Sequence, residues 1–198
     1  MRQALKSVDG IEWLEVSVKQ SDQTVGLIAR TPRAAIALEA RMEGVLRAMA
    51  HVAGQMMSVD IKTAPVHVAS SPMTLYTIPC LIVTKSKRHD WSSWRDATLS
   101  EEQRSFVTQM IRASIESELK AWSVDWQASG IELIADGSPM VIVVSQGPRG
   151  IARMRVRFVA PWHIEGELFC GKLTPMGYGL IKRGGQIRTL APALSATS

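Results

Sequence analysis

Apolar and polar residues first alternate at strand period. In "IEWLEVSVK", Ile11 and Trp13 alternate with Glu12, and Leu14, Val16 and Val18 then alternate with Glu15 and Ser17, which predicts a strand with one slip of phase. "TVGLIAR" is its expected partner across a turn at residues 21–23. The period then becomes helical. Thr31 can cap a helix with Pro32 in its first position, and Leu38, Met42, Val45, Met49 and Val52 fall on one stripe, predicting a single amphipathic helix ending at Gly54. "MSVDIK", "PVHVAS" and "MTLYTIPCLIVTK" are strand candidates, and Pro79 in the last of them requires an edge or a bend because it has no N–H to give a ladder.

The second helix has the clearest signature. Ser100 and Gln103 form a capping box, and Val107, Ile111, Ile115 and Trp122 make its apolar stripe, so it should run to about Trp122. Beyond it, "GIELIAD" and "PMVIVVSQ" are expected to form a hairpin about Asp136 and Gly137, followed by a strand at "IARMRVRFVA" and a last one at "YGLIKR". From Met73 onward this is a βαββ order with additions, which approximates a ferredoxin-like unit. The first half, a helix between strands, reads as a degenerate second copy. The expected fold is therefore α+β, with tandem ferredoxin-like (RRM-like) units over 1–72 and 73–190 and a tail at 191–198.

Composition changes this picture little. The chain has 198 residues, 46% apolar and 21% charged, which suits one or two globular domains and argues against disorder. It has no apolar run of the roughly 20 residues that span a bilayer and no signal-peptide pattern at "MRQALKSVDG", so a cytoplasmic location without membrane attachment is expected. Cys80 and Cys170 lack metal-ligand or disulfide-framework spacing and read as reduced packing residues. No metal, cofactor, carboxylate pair or nucleophile triad is indicated.

Charge changes it more. The formal net charge is +5, and the eight cations and two acids between Arg149 and Arg188 carry +6, leaving −1 for the rest of the chain. Positive charge confined to one segment points to a polyanionic partner. Within it, Arg153, Arg155 and Arg157 should share one face of a strand, where their forks suit the phosphates of a nucleic acid; the alternative is a solvated face with acidic neighbours. In "KSKRHDWSSWR", Lys85, Lys87 and Arg88 are interleaved with His89, Trp91 and Trp94, a composition that suits single-stranded or loop RNA and equally suits a solvated loop with its tryptophans tucked inward. "CGKLTPMGYGLIKRGG" joins five glycines to Lys172, Lys182 and Arg183 and fits neither a dinucleotide nor a P-loop pattern. It reads as a loop that allows positive φ or close backbone approach, leading into a basic strand.

Those residues carry a family resemblance. Gly171, Lys172, Gly177, Tyr178, Gly179 and Leu180 resemble the C-terminal glycine-rich loop of the RAMP superfamily of CRISPR-associated proteins. "PCLIVTK", the helix after Ser100 and the strands through Phe158 are similar to the second ferredoxin-like domain of its repeat-processing endoribonucleases. The likeness covers roughly residues 73 to 184. Phe169 stands where many members have a further glycine, and the short helix that usually precedes the loop is not signalled between Trp162 and Cys170.

The resemblance implies an enzyme that binds the repeat hairpin of CRISPR RNA, cleaves the precursor without metal by using a 2′-hydroxyl as nucleophile, stays on the mature guide, and works with other CRISPR effector subunits. Such chemistry needs a base, an acid and a cation near the phosphate. By position the resemblance favours His51 as a catalytic residue, with His89 second; His67 and His163 sit in strand-like surroundings and read as packing or local bonding. Arg153, Arg155, Arg157, Lys172, Lys182 and Arg183 would hold phosphates, with Lys85, Lys87, Arg88 and Tyr178 as further RNA contacts. Gly171, Gly177 and Gly179 would let the backbone approach the RNA. A non-catalytic RAMP subunit of an effector complex and a basic interaction module are the alternatives.

Overall fold

The computed structural model describes residues 7–20, 24–53, 58–62, 66–84, 93–142 and 150–186. Two sheets and three helices of eight or more residues make up these regions.

The smaller sheet has three strands, β1 (Val16–Gln20), β2 (Thr24–Ala29) and β3 (Ser58–Lys62), in that order. β1 and β2 are antiparallel, with Val16 opposite Ala29, whereas β2 and β3 are parallel. Parallel strands need a crossover, which α1 (Pro32–Ala40) and α2 (Met42–Ala53) supply. The first strand is shorter than the alternation suggests, because a turn in which the Glu15 N–H donates to the Glu12 carbonyl (2.9 Å) precedes it. That turn is the slip of phase. Ile11 and Trp13 lie before it and still bury in the core, with Val16, Leu27, Ala34, Leu38, Val45 and Met49.

The expected single helix is two. Thr31 caps the first, accepting from the Ala34 N–H at 3.1 Å with Pro32 behind it, and Arg41 ends it out of helical geometry at φ −115° and ψ 15°. Arg41 also accepts from the Val45 N–H at 3.0 Å, so the break occupies one residue and the apolar stripe continues across it.

The larger sheet has six strands: β4 (His67–Thr84), β5 (Glu132–Ala135), β6 (Ser138–Ile142), β7 (Gly150–Glu165), β8 (Leu168–Phe169) and β9 (Leu180–Gln186). Its order is β5-β7-β4-β9-β8, every pairing is antiparallel, and β6 also pairs with β7. α3 (Glu101–Ala121) packs Val107, Ile111, Ile115 and Leu119 on one face, against Tyr76, Ile78, Val156, Phe158 and Trp162. Both capping-box hydrogen bonds between Ser100 and Gln103 are present and Trp122 is the C-cap, as the sequence predicts. The two strand candidates on either side of Pro72 merge into the single strand β4, with a register shift between Ser70 and Thr74.

The hairpin about Asp136 and Gly137 does not form. β5 and β6 both pair with β7, Ala135 opposite Arg157 and Ser138 opposite Met154, so they run along it in one line. Gly137 has φ +70°, and a Cβ there would lie 2.4 Å from the Met154 carbonyl oxygen. Asp136 and Gly137 therefore act as a bulge, which lets the strand resume on the same partner, and not as a turn.

Candidate nucleic-acid interface

β7 does not keep its three arginines on one face. Arg155 takes a left-handed φ of 60°, which slips the alternation by one position: Ile151 enters the core on one side of it, and Val156, Phe158 and Ala160 on the other. Arg153 therefore turns inward and is 0% exposed. Its Nε donates to the Asp136 carbonyl at 3.0 Å, Nη1 to the Asp96 and Trp94 carbonyls at 2.6 and 3.3 Å, and Nη2 to the Gly137 and Ala97 carbonyls at 2.7 and 2.9 Å. Burial pulls its pKa below the usual arginine value, while Asp136 and Asp96 oppose that shift. The expectation of a three-arginine phosphate-binding face is corrected. Arg153 is a structural cation that ties the bulge to the segment ahead of α3, and Arg155 and Arg157 are the exposed members.

The exposed cations meet elsewhere. Thr77 of β4 lies opposite Arg157 of β7 on one side and Lys182 of β9 on the other. Directly opposed residues point to the same face, so Arg157, Thr77 and Lys182 form a row across three strands, with adjacent strands about 4.8 Å apart. This is the face away from α3, because Tyr76 and Phe158 occupy the core side. Arg183 lies opposite Tyr76 and is exposed, and together with burial its charge acts on that tyrosine's pKa, which burial raises. Among the described residues, none of Arg155, Arg157, Lys182 and Arg183 forms an ion pair.

The glycine-rich segment lies beside this row and follows the edge of β4. Past Thr77, where pairing with β9 stops, the Gly179 N–H donates to the Cys80 carbonyl at 2.9 Å and the Lys172 N–H to the Ile82 carbonyl at 3.4 Å. The segment thus completes the ladder that Pro79 interrupts. Its shape depends on left-handed backbone at Gly171, Leu173, Gly177 and Gly179, with a 3₁₀ turn at Thr174–Met176 between them. A Cβ on Gly179 would sit 1.8 Å from the Cys170 carbonyl oxygen, and one on Gly171 would sit 2.7 Å from Leu81 Cδ1. These glycines answer to the chain's own close approach. Leu173 and Tyr178 then pack on Ile82, Ala152 and Cys80.

A second cluster, unremarked in the sequence, holds the same segment from below. Arg30, just past β2, donates from Nη1 to Thr174 Oγ1 at 2.7 Å and from Nε to Glu118 Oε1 of α3 at 2.8 Å, with Nη2 also on that oxygen. Ser17 of β1 is fully buried and its Oγ donates to the Thr174 carbonyl at 2.9 Å. Burial raises the Glu118 pKa, Arg30 opposes the rise, and Oε2 has no hydrogen-bond partner among the described residues. One sequence signal was available: Glu118 follows Ile111 and Ile115 on the apolar stripe of α3, where a carboxylate needs a partner. Cys170 is buried nearby, and burial and Glu118 push its thiol above the ordinary range, as burial does for Cys80.

The histidines fall into two groups. His51 lies in the last turn of α2, and its side chain is outside the described residues, as are Lys85, Lys87, Arg88 and His89. His67 lies opposite Glu165, and His163 opposite Ala69, at the far end of the β4–β7 pair. His163 Nε2 is 3.7 Å from Glu165 Oε1. Two histidines and a carboxylate thus share the face that carries Arg157 further along β7. Among the described residues no cluster of His, Cys, Asp or Glu could hold a metal ion, and no helix is long and apolar enough to cross a membrane.

An antiparallel sheet backed by one helix, with unpaired cations beside a glycine-rich segment, suits an RNA-handling protein, and comparison with known proteins defines the class. The model of the family described as type IV CRISPR-associated endonuclease Csf5, a Cas6-type family, matches residues 14–184. A solved Csf5, a type IV Cas6 crRNA endonuclease, is similar with a TM-score of 0.60 and 22% identity over 86% of this chain and 68% of that one. The CRISPR RNA processing endoribonuclease Cas6b is similar with a TM-score of 0.55 and 12% identity over 93% of this chain and 92% of that one. No curated protein sequence matches. The class is that of the Cas6-type endonucleases of the RAMP superfamily, which process CRISPR RNA. Within it, the chain belongs to the type IV Csf5 family.

Proposed function

We propose that this endonuclease binds the hairpin of a CRISPR repeat on the face of the large sheet away from α3 and cleaves the precursor by metal-independent acid-base chemistry on the 2′-hydroxyl beside the scissile phosphate. The observation that carries the binding site is the row Arg157–Thr77–Lys182, whose cations have no ion-pair partner among the described residues and lie next to the glycine-rich segment. On that face Arg155, Arg157, Lys172 and Lys182 contact phosphates; Arg183, opposite Tyr76 on the other side of β9, meets the RNA backbone from beyond the sheet edge, and Tyr178, with Lys85, Lys87 and Arg88, contacts the RNA around them. Gly171, Gly177 and Gly179 keep the loop thin enough for RNA to approach.

The large sheet is, in this proposal, a ferredoxin-like unit: α3 joins β4 to the β5 line, and β7 and β9 flank β4 in the order β5-β7-β4-β9. The N-terminal α+β unit is a degenerate partner, its parallel β2–β3 pairing marking the departure. Two separate core clusters support two units. Val66 and residues along β4 pack in the cluster of the large sheet, which supports a junction somewhat ahead of the expected 72. The protein acts in the cytoplasm, stays on the mature guide RNA and works with other effector subunits.

For catalysis, His51 and His89 supply the acid and base. A second reading assigns them to His67 and His163, favoured by the shared sheet face and by Glu165 close to His163, which would orient a protonated imidazole. Replacing each of the four by alanine and timing single-turnover cleavage of repeat RNA tests both. Loss of about 10²-fold or more at one pair, with binding retained and 2′,3′-cyclic phosphate ends from the parent, identifies the pair. Parent rates in all four variants would overturn histidine chemistry here.

A further inference from the structure

The glycine-rich segment is fastened to the N-terminal sheet at one residue. Thr174 is 7% exposed, and its hydroxyl and carbonyl are both held by the N-terminal unit: Arg30 Nη1 donates to the hydroxyl at 2.7 Å, and Ser17 Oγ to the carbonyl, which also accepts from the Gly177 N–H at 2.9 Å. Ser17 lies on the face of β1 opposite the core of the small sheet, where alternation alone would leave it in water. It is buried because the 3₁₀ turn of the glycine-rich segment docks there. Arg30 meets the preceding Leu14 carbonyl at 3.4 Å and spends its remaining donors on Glu118, whose side chain is 6% exposed. One guanidinium therefore touches the N-terminal unit, α3 and the loop, and its bond to Thr174 is not needed to satisfy Glu118.

We propose that Arg30 is a positioning residue for RNA processing, which through Thr174 fixes the glycine-rich segment so that Lys172 and Lys182 stand in register with the Arg157 row. This rests on the RNA-binding reading given above for those cations. The left-handed residues on either side of the 3₁₀ turn specify the shape of the segment, and Arg30 specifies where that shape sits. A rigid loop held at one point carries its cations with it: Lys172 lies two residues before Thr174, and Lys182 and Arg183 follow in the strand that the loop enters.

A merely structural Arg30 and a positioning Arg30 differ in one experiment. The paired replacement R30M/E118L removes both charges of the pair together, which spares the fold the cost of a lone buried carboxylate. T174V removes only the acceptor hydroxyl at nearly constant volume. Melting temperature, repeat-RNA affinity and single-turnover cleavage are measured for each, alone and combined with K182A. The expected result is a melting temperature near the parent's for R30M/E118L, repeat-RNA affinity about tenfold weaker in both variants, and less than additive loss when either is combined with K182A, because both act through one segment. Parent affinity and cleavage in R30M/E118L would overturn the proposal; should that variant fail to fold, parent affinity in T174V overturns it equally. If K182A/R183A binds RNA like the parent, the RNA-contact reading fails instead, whatever Arg30 does.

Discussion

Arg153 and Arg157 lie four residues apart on one strand and have opposite fates. The first is enclosed by five carbonyl oxygens that leave its donors no use for a phosphate; the second stands on the open face with no ion-pair partner among the described residues. The difference comes from a single left-handed residue between them, Arg155. A run of positive charge in a sequence is therefore not yet a binding surface. Backbone carbonyls at a bulge and at the approach to a helix can absorb a cation as completely as an anionic ligand does.

The strongest way to sharpen that comparison is to remove the absorbed cation. Arg153→Met leaves five buried carbonyls and the Asp136 region without their donor, and should lower stability to urea unfolding by about 3–5 kcal/mol. Affinity for RNA, measured on the fraction that stays folded, should change little; a selective loss of affinity would return Arg153 to the binding surface. Next in size is Gly179→Ala, whose methyl would strike the Cys170 carbonyl. It should cost about 2 kcal/mol or more and weaken RNA binding with it, as the loop shifts off β4.

Arg157→Ala and Lys182→Ala test the other side of the contrast. Each should leave stability within about 0.5 kcal/mol of the parent, weaken RNA binding, and reduce the dependence of log affinity on log salt by about 0.7 to 0.9 per cation. An unchanged salt slope in both would remove the row from the interface. The smallest effect concerns Arg30, a cation held by a carboxylate. Burial holds the Glu118 pKa above its unfolded value, so its favourable contribution is complete below the ordinary glutamate pKa of about 4.3 and is lost as pH rises through the raised value. Across that window Glu118→Gln should melt with a flatter pH profile than the parent; matching profiles would show that Glu118 titrates in the fold as it does in the unfolded chain.

The sequence made α3 legible because its signals are local: a capping box and a helical stripe agree within one element. The strands β7 and β9 were legible for the same reason. What was lost involves coincidence between distant residues. Asp136 and Gly137 look like a hairpin turn until Met154 and Arg157 are seen to pair on either side of the same bulge. The arginine row failed because period two assumes an unbroken pleat, which Arg155 breaks. Ser17, Arg30 and Thr174 gave no local signal, since their burial depends on the small sheet meeting a loop that lies far along the chain. The family was legible because the glycine-rich motif is contiguous. The positions of the acid and base were not, since they depend on which histidines the folded chain brings to the RNA.

The bulge at Asp136 and Gly137 has one further effect, on how the protein keeps to itself. β5 and β6 form the outer line of the large sheet and carry Ile134, Met140 and Val141 exposed, a combination that invites another strand to add alongside. Because the line is broken, no stretch of it exceeds the five residues of β6, and the backbone at the break passes through the left-handed φ of Gly137. A stray strand finds only short footholds. The residue pair that seats Arg153 inside the molecule thereby also divides the exposed edge into two short strands.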